Sequence, residues 1–151
     1  MTLEKLRADL AAALKSGDKT RVSTLRFLLS YLHNLEIQKQ KELLEEEILG
    51  AIQKQARDHQ ESIALFKKGG RPDLVEKEKE ELKILKTYLP AELSQEELET
   101  LVKKVIKEGN FSGPADFGKV MGQVMGKIKG RARGEMAAQI VKKKLEEQAK
   151  P

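Results

Sequence analysis

Apolar residues recur along the chain at spacings of three and four, which is the period of a helix with one buried face. No segment shows the alternation of apolar and polar residues that a half-buried strand requires. Two stripes are clearest and should face a common core: Val22, Leu25, Leu28, Leu29 and Leu32, then Ile48, Ile52, Ala56, Ile63 and Phe66. The pattern therefore predicts an all-α protein with essentially no sheet.

Capping residues divide the first 90 residues into about four helices. Thr2 can cap the first helix, and Asp18 follows a turn and can cap the second. The third helix should end at the glycine pair 69–70. Pro72 then occupies the first position of a fourth helix that we expect to run to about Tyr88.

The clearest internal boundary lies near Pro90, which cannot continue the preceding helix. Ser94 and Glu97 then form the S-x-x-E pattern of a capping box, which starts the next helix. These signals predict an N-terminal helical lobe over residues 1–90, a three-helix C-terminal lobe over 93–148 and a frayed tail over 149–151.

Glycine and proline also mark the helices of the C-terminal lobe. Gly109 should end the fifth helix and Pro114 should open the sixth. The stretch 126–130, which begins and ends with glycine, should end the sixth helix, and a seventh helix should begin near Ala132. The expected inner faces of the last two helices are Phe117, Val120, Met121, Val124 and Met125, then Met136, Ile140, Val141 and Leu145.

Three glycines, Gly118, Gly122 and Gly126, share one face of the sixth helix. Each glycine costs a helix about 1 kcal/mol, so a row of them needs a reason. We interpret the row as close packing against another helix, with a ligand surface as the alternative.

Composition narrows the classes of function. The 151 residues include no cysteine, which excludes disulfides, thiolate metal sites and a cysteine nucleophile. No apolar run approaches the roughly 20 residues that span a bilayer, so we expect a soluble, cytoplasmic protein without membrane contact. The net charge of +5 permits an acidic partner without requiring one.

Positive charge is concentrated between residues 117 and 134, where five cations occur without an intervening acid: Lys119, Lys127, Lys129, Arg131 and Arg133. The last four lie on a glycine-flanked loop that leads into the seventh helix. Exposed backbone amides, the helix dipole and the cations would all favour an anion there. A solvated loop that serves only solubility is an equally good interpretation of the charge alone.

The sequence offers no autonomous active site. Its serines are scattered singly, outside any nucleophile-elbow or S-x-x-K context, and no phosphate-binding glycine loop occurs. His33 and His59 lie on different predicted helices and lack metal-ligand spacing. We therefore predict no catalytic residue, no cofactor and no metal.

Five short motifs, in this order and spacing, resemble the YqeY family: Thr24-Leu25-Arg26, Gly70-Arg71-Pro72-Asp73-Leu74, Tyr88-Leu89-Pro90, Asp116-Phe117-Gly118-Lys119-Val120-Met121 and Lys129-Gly130-Arg131-Ala132. That family is related to the C-terminal domain of the GatB subunit of the tRNA-dependent aspartyl/glutamyl amidotransferase. The resemblance spans almost the whole chain and implies a larger helical lobe followed by a three-helix lobe.

The resemblance also implies a function. The family carries the label of a carbon-nitrogen ligase with glutamine as amido donor, although the glutaminase nucleophile and kinase site that such chemistry needs are missing here. In the related enzyme the domain engages the body of tRNA. By position, this assigns phosphate contacts to Lys119, Lys127, Lys129 and Arg131, whereas family members often have an acid where Arg133 stands.

We therefore expect a non-catalytic module that binds tRNA or another structured RNA, or that works beside an amidotransferase. The alternative is a protein-interaction module without RNA contact, which would dock a partner through the glycine face of the sixth helix or through Tyr88-Leu89-Pro90.

Overall fold

The structure, a computed structural model, describes residues 1–149, and within that range it contains no strand. The prediction of an all-α protein is confirmed. The helices are α1 (Leu3–Ser16), α2 (Lys19–Lys39), α3 (Glu45–Lys68), α4 (Pro72–Lys86), α5 (Gln95–Glu108), α6 (Phe117–Ile128) and α7 (Gly134–Ala149), with a 3-10 turn at Pro114–Asp116.

The chain forms two compact units, Met1–Leu89 and the part that begins at Pro90. Of the predicted frayed tail, Ala149 still belongs to α7, and Lys150 and Pro151 lie outside the described residues. No helix within residues 1–149 combines the length and the apolar character needed to cross a membrane.

The capping residues of α1 and α2 and the turn between these helices are as the sequence predicts. The Thr2 hydroxyl accepts a hydrogen bond from the Lys5 N–H, and the Asp18 carboxylate accepts one from the Arg21 N–H. Between these helices Gly17 adopts the left-handed conformation at φ 74°, where glycine carries no steric cost. The core of this unit is made of Leu6, Leu25, Leu28, Leu32, Ile48, Ala51, Ile52 and Leu85.

The α4 helix ends two residues before the predicted position, at Lys86. The N–H groups of Thr87 and Tyr88 donate to the carbonyls three residues earlier, and the Thr87 hydroxyl also donates to the Ile84 carbonyl. These bonds tighten the last turn into 3-10 geometry ahead of Pro90, so the regular helix stops early.

The second unit packs α5, α6 and α7 around one apolar core. The capping box at its entrance is present, because the Ser94 hydroxyl accepts from the Glu97 N–H and the Glu97 carboxylate accepts from the Ser94 N–H. Val120 and Val124 of α6 are fully buried, together with Leu98, Val102, Ile128, Ala137, Val141 and Leu145.

Two details of the predicted unit are wrong. Pro114 opens the short 3-10 turn, so that α6 begins at Phe117, and α7 begins at Gly134. Phe117, Met125 and Met136, which were expected inside, are at least 36% exposed. Ile128 and Ala137 fill the core instead, because the buried stripe of α6 is centred on Val124 and that of α7 runs through Ala137, Val141 and Leu145.

Candidate nucleic-acid interface

The cations expected to bind an anion lie largely at one turn of the backbone, residues 127–133, here called the basic junction. It connects the C-terminus of α6 with the N-terminus of α7. Lys129 at φ 52° and Gly130 at φ 80° both adopt the left-handed conformation, which reverses the chain within two residues. The turn therefore displays its side chains on a short, fixed loop.

Arg131 fastens this loop to the segment that precedes α5. Its Nε donates to the Ala91 carbonyl at 2.8 Å, and its own carbonyl accepts from the Leu93 N–H at 2.8 Å. These bonds span about 40 residues of sequence. Arg131 therefore has a structural role that the sequence did not reveal.

The other cations of the basic junction are exposed. The Lys127 Nζ lies 3.8 Å from the Glu108 carboxylate, an exposed ion pair of the kind that contributes little and exchanges readily. Arg133 immediately precedes α7, and its carbonyl accepts from the Ala137 N–H at 3.1 Å. The backbone of Arg133 thus lies at the N-terminus of α7, where the helix dipole also favours an anion.

Lys119 does not belong to the basic junction. It is exposed on α6, eight residues before Lys127, which corresponds to roughly 12 Å along the helix axis. The structure therefore groups four of the five predicted contact residues at the basic junction, with Lys127 on the last turn of α6 and the other three on the loop, and leaves the fifth about two turns away on α6.

The three glycines of α6, here called the glycine strip, do not pack against another helix. A Cβ placed on Gly118, Gly122 or Gly126 would meet no atom within 4 Å, so the interpretation as close packing is wrong for the described residues. At 3.6 residues per turn the strip lies nearly opposite Val120 and Val124, on the outer face.

A ridge of longer side chains borders the glycine strip. Lys119, Gln123 and Lys127 follow one another at intervals of four, one residue after each glycine, and all three are exposed. The outer face of α6 therefore combines bare backbone with a row of two cations and an amide, and that row ends at the basic junction.

Sequence reasoning missed a second cationic surface in the same unit. Lys103 and Lys107 of α5 and Lys144 of α7 line an open groove of about 590 Å³. Asn110 and Ser112 add polar groups, and Lys144 is 3.5 Å from the Glu147 carboxylate. These lysines are separated in sequence and form no local motif. Only the packing of α5 against α7 brings them together.

The first unit contains another group that spacing could not show. His59 of α3 contacts two carboxylates of α4, those of Glu78 and Glu81. Imidazole and carboxylate are common metal ligands, so these three are the described residues that could hold an ion. The sequence does not indicate this cluster, because its residues form no known motif and 19 residues separate His59 from Glu78.

Comparison with known proteins agrees with this architecture. The sequence pattern of the family described as "Yqey-like protein" matches residues 3–145. The chain is 37% identical to "Altered inheritance of mitochondria protein 41, mitochondrial" of Kluyveromyces lactis over 124 residues, which cover 76% of this chain and 66% of that protein. The protein of the same name from Pyrenophora tritici-repentis is 34% identical, over 80% of this chain and 67% of its own length.

The prediction of a cytoplasmic protein is contradicted by these relatives, whose names place them in mitochondria. The prediction had relied on the lack of an apolar run long enough to span a bilayer. That property is shared by proteins of many aqueous compartments and does not distinguish one from another.

Proposed function

The chain belongs to the Yqey-like protein family, and on this premise we propose that it is a non-catalytic module that binds structured RNA of the tRNA class. The contacts are made with phosphates, by Lys127, Lys129, Arg131 and Arg133 of the basic junction and by Lys119 of α6. An amidotransferase that handles the same tRNA is the protein partner this proposal favours.

The observation that carries the proposal is the fixed presentation of the basic junction. Lys129 and Gly130 turn the chain, and Arg131 ties the turn to Ala91 and Leu93 through two hydrogen bonds of 2.8 Å. A loop held in this way loses little conformational freedom when it binds. Cations on a pre-formed loop therefore favour a phosphate contact over a merely solvated surface.

The glycine strip supports the same partner. A helix with a strip of glycines on its outer face lets a bulky, rigid ligand approach the backbone closely along that strip. The neighbouring ridge of Lys119, Gln123 and Lys127 can then contact successive phosphates of such a ligand. Among the described residues, neither the glycine strip nor the ridge beside it carries an aromatic side chain, which suits a double-helical RNA recognised by its shape rather than unpaired bases.

The test is tRNA binding by the full-length protein at about 50 and 200 mM salt, where counterion release makes phosphate contacts visible. The variant replaces Lys127, Lys129 and Arg133 by Gln and keeps Arg131, since that residue also holds the loop. A matched control removes the same charge from the first unit, at the exposed residues Lys67, Lys68 and Lys86.

Loss of three phosphate contacts should weaken binding at low salt and reduce the log-log salt slope by about 2 to 3. The control should retain the slope of the natural protein. Equal binding by both variants, or binding that does not respond to salt, would remove the basic junction as the site.

A second candidate function is docking of a partner protein on the glycine strip, which is favoured by the open space above Gly118, Gly122 and Gly126. A contact made by packing should survive about 0.5 M salt, whereas phosphate contacts should largely disappear. The salt dependence of the complex therefore distinguishes the two candidates. A bulky side chain at Gly122 does not distinguish them, because it would block both RNA binding and protein docking.

A further inference from the structure

The cluster of His59, Glu78 and Glu81 lies between two helices of the first unit and plays no part in the proposed RNA contact. Glu78 and Glu81 are three residues apart on α4 and therefore share one face, which packs against α3. The Glu78 Oε2 is in hydrogen-bonding contact with the His59 Nδ1, and the Glu81 Oε2 lies 3.7 Å from the same nitrogen. One potential ligand atom from each residue lies within 4.8 Å of the other two.

The charges in this cluster do not balance. The three side chains are only 14%, 19% and 15% exposed, so water screens them weakly. Among residues 1–149, no lysine or arginine forms an ion pair with Glu78 or Glu81, although neighbouring surface carboxylates such as Glu76 do have one. Two sheltered carboxylates therefore share a single imidazole, an arrangement that leaves negative charge uncompensated.

A divalent cation would compensate this charge. Two glutamates and a neutral imidazole give the set a charge of −2, which one divalent ion cancels. The set combines one nitrogen with two oxygens, which suits zinc and related first-row metals better than calcium or magnesium, whose ligands are oxygens. Metal–ligand bonds of about 2.1 Å place tetrahedral ligands about 3.4 Å apart, so closure requires side-chain shifts of roughly an ångström.

A buried amide lies on α3, one helical turn before His59. Gln55 precedes His59 by four residues and so lies one turn earlier on the same face of α3, where it is 4% exposed. Its Nε2 has no hydrogen-bond partner among the described residues. Rotation of the terminal amide would present Oε1 from the same position, and a neutral oxygen is a suitable additional ligand.

We propose that His59, Glu78 and Glu81 form a binding site for a divalent transition metal, with zinc as the preferred ion. The ion links α3 to α4 across the glycine turn that joins them. Since it binds the folded helix pair and not the separated helices, it stabilises the first unit in proportion to its occupancy.

The test uses untagged full-length protein, stripped with chelator and titrated with Zn²⁺ by calorimetry, with thermal unfolding in parallel. Three single variants remove one ligand each: His59→Gln, Glu78→Gln and Glu81→Gln. Two matched controls make the same chemical changes elsewhere, His33→Gln at the other histidine and Glu76→Gln at an exposed glutamate of α4. Circular dichroism shows that each variant is folded before titration.

We expect the natural protein to bind one Zn²⁺ and to gain thermal stability with it. Each ligand variant should bind more than about tenfold more weakly, since loss of even an outer partner of a metal ligand costs that much. The two controls should bind as the natural protein does. If a ligand variant does not fold, the visible absorption of bound Co²⁺ in the remaining variants reports the same ligands.

Three results would overturn the proposal: no binding of Zn²⁺, binding that is unaffected in all three ligand variants, or binding that His33→Gln weakens as much as His59→Gln. The outcome is independent of RNA. Tests of the basic junction concern the second unit and remain valid whether or not a metal binds in the first.

Discussion

The hydrogen bond between Tyr88 and Asp9 joins the turn that follows α4 to α1. The Tyr88 hydroxyl donates to the Asp9 carboxylate at 2.6 Å. Burial and this contact with a negative charge raise the pKa of Tyr88 to about 12. For Asp9, burial acts to raise the pKa, but the hydrogen bonds from Tyr88 and Lys5 outweigh it, and the pKa is lowered.

Replacing Tyr88 by Phe should therefore lower the free energy of unfolding by about 1 to 2 kcal/mol, as expected for a hydrogen bond to a charged group that is partly exposed. Urea unfolding measures the change. Tyr31→Phe is the control, because the Lys54 ammonium lies over the ring of Tyr31 and does not contact its hydroxyl. Equal losses in both variants would mean that removal of any tyrosine hydroxyl, rather than loss of the Asp9 contact, is responsible.

The same bond gives a pH dependence. A raised pKa in the folded state means that the contribution is complete below pH 10, the ordinary pKa of tyrosine, and is lost as the pH rises towards 12. The natural protein should therefore lose stability over that range more steeply than Tyr88→Phe.

Gly122 offers a test in which stability and binding change in opposite directions. A Cβ there meets nothing within 4 Å, so Gly122→Ala should stabilise α6 by about 0.5 to 1 kcal/mol. Gly122→Leu should leave the fold intact and weaken tRNA binding, because the side chain would cover the glycine strip. A destabilised Gly122→Ala protein would show that the strip is packed after all.

At the scale of the helices, the sequence was sufficient where a capping side chain sets the N-terminus of a helix. Asp18 and the pair Ser94 and Glu97 cap helices through hydrogen bonds that span three residues, and all three roles could be predicted. The C-terminus of α4 could not, because a threonine hydroxyl that bonds to the carbonyl three residues earlier, as Thr87 does to Ile84, is also found within continuing helices. The left-handed Lys129 was missed because lysine rarely adopts that conformation.

Glu47 connects α2 to α3 and should make the first unit sensitive to acid. The Lys39 Nζ donates to its carboxylate at 2.9 Å, the Leu44 N–H at 3.1 Å, and Lys41 lies 3.3 Å away. The hydrogen bond from Lys39, followed by that from Leu44, lowers the pKa of Glu47 from 4.5 to about 2.

A lowered pKa in the folded state means that this stabilisation is present above pH 4.5 and is lost as the pH falls towards 2. The free energy of unfolding of the natural protein should therefore decline over this range, and that of Glu47→Gln should decline less. Urea titrations at several acidic pH values measure the difference. Glu46→Gln, an exposed neighbour in the same turn, should behave as the natural protein.

At the scale of the whole molecule, the missed features are those that depend on distant parts of the chain. The hydrogen bond between Arg131 and Ala91 and the contact of His59 with Glu78 both require packing that no local pattern encodes. The exposed glycine strip is a different case. Its position opposite Val120 and Val124 follows from helical periodicity alone, so this position could have been predicted from the sequence.

The division at Pro90 implies that damage to one unit should be confined to it. Val120 is fully buried in the second unit, and Val120→Asp would place an unpaired charge there at a cost of several kcal/mol. Hydrogen exchange of the full-length variant should show lost protection in α5, α6 and α7 and unchanged protection in α1 to α4. Gln123→Asp, on the exposed face of the same helix, should alter neither group. Equal loss of protection in all the helices would instead show that the two units unfold as one.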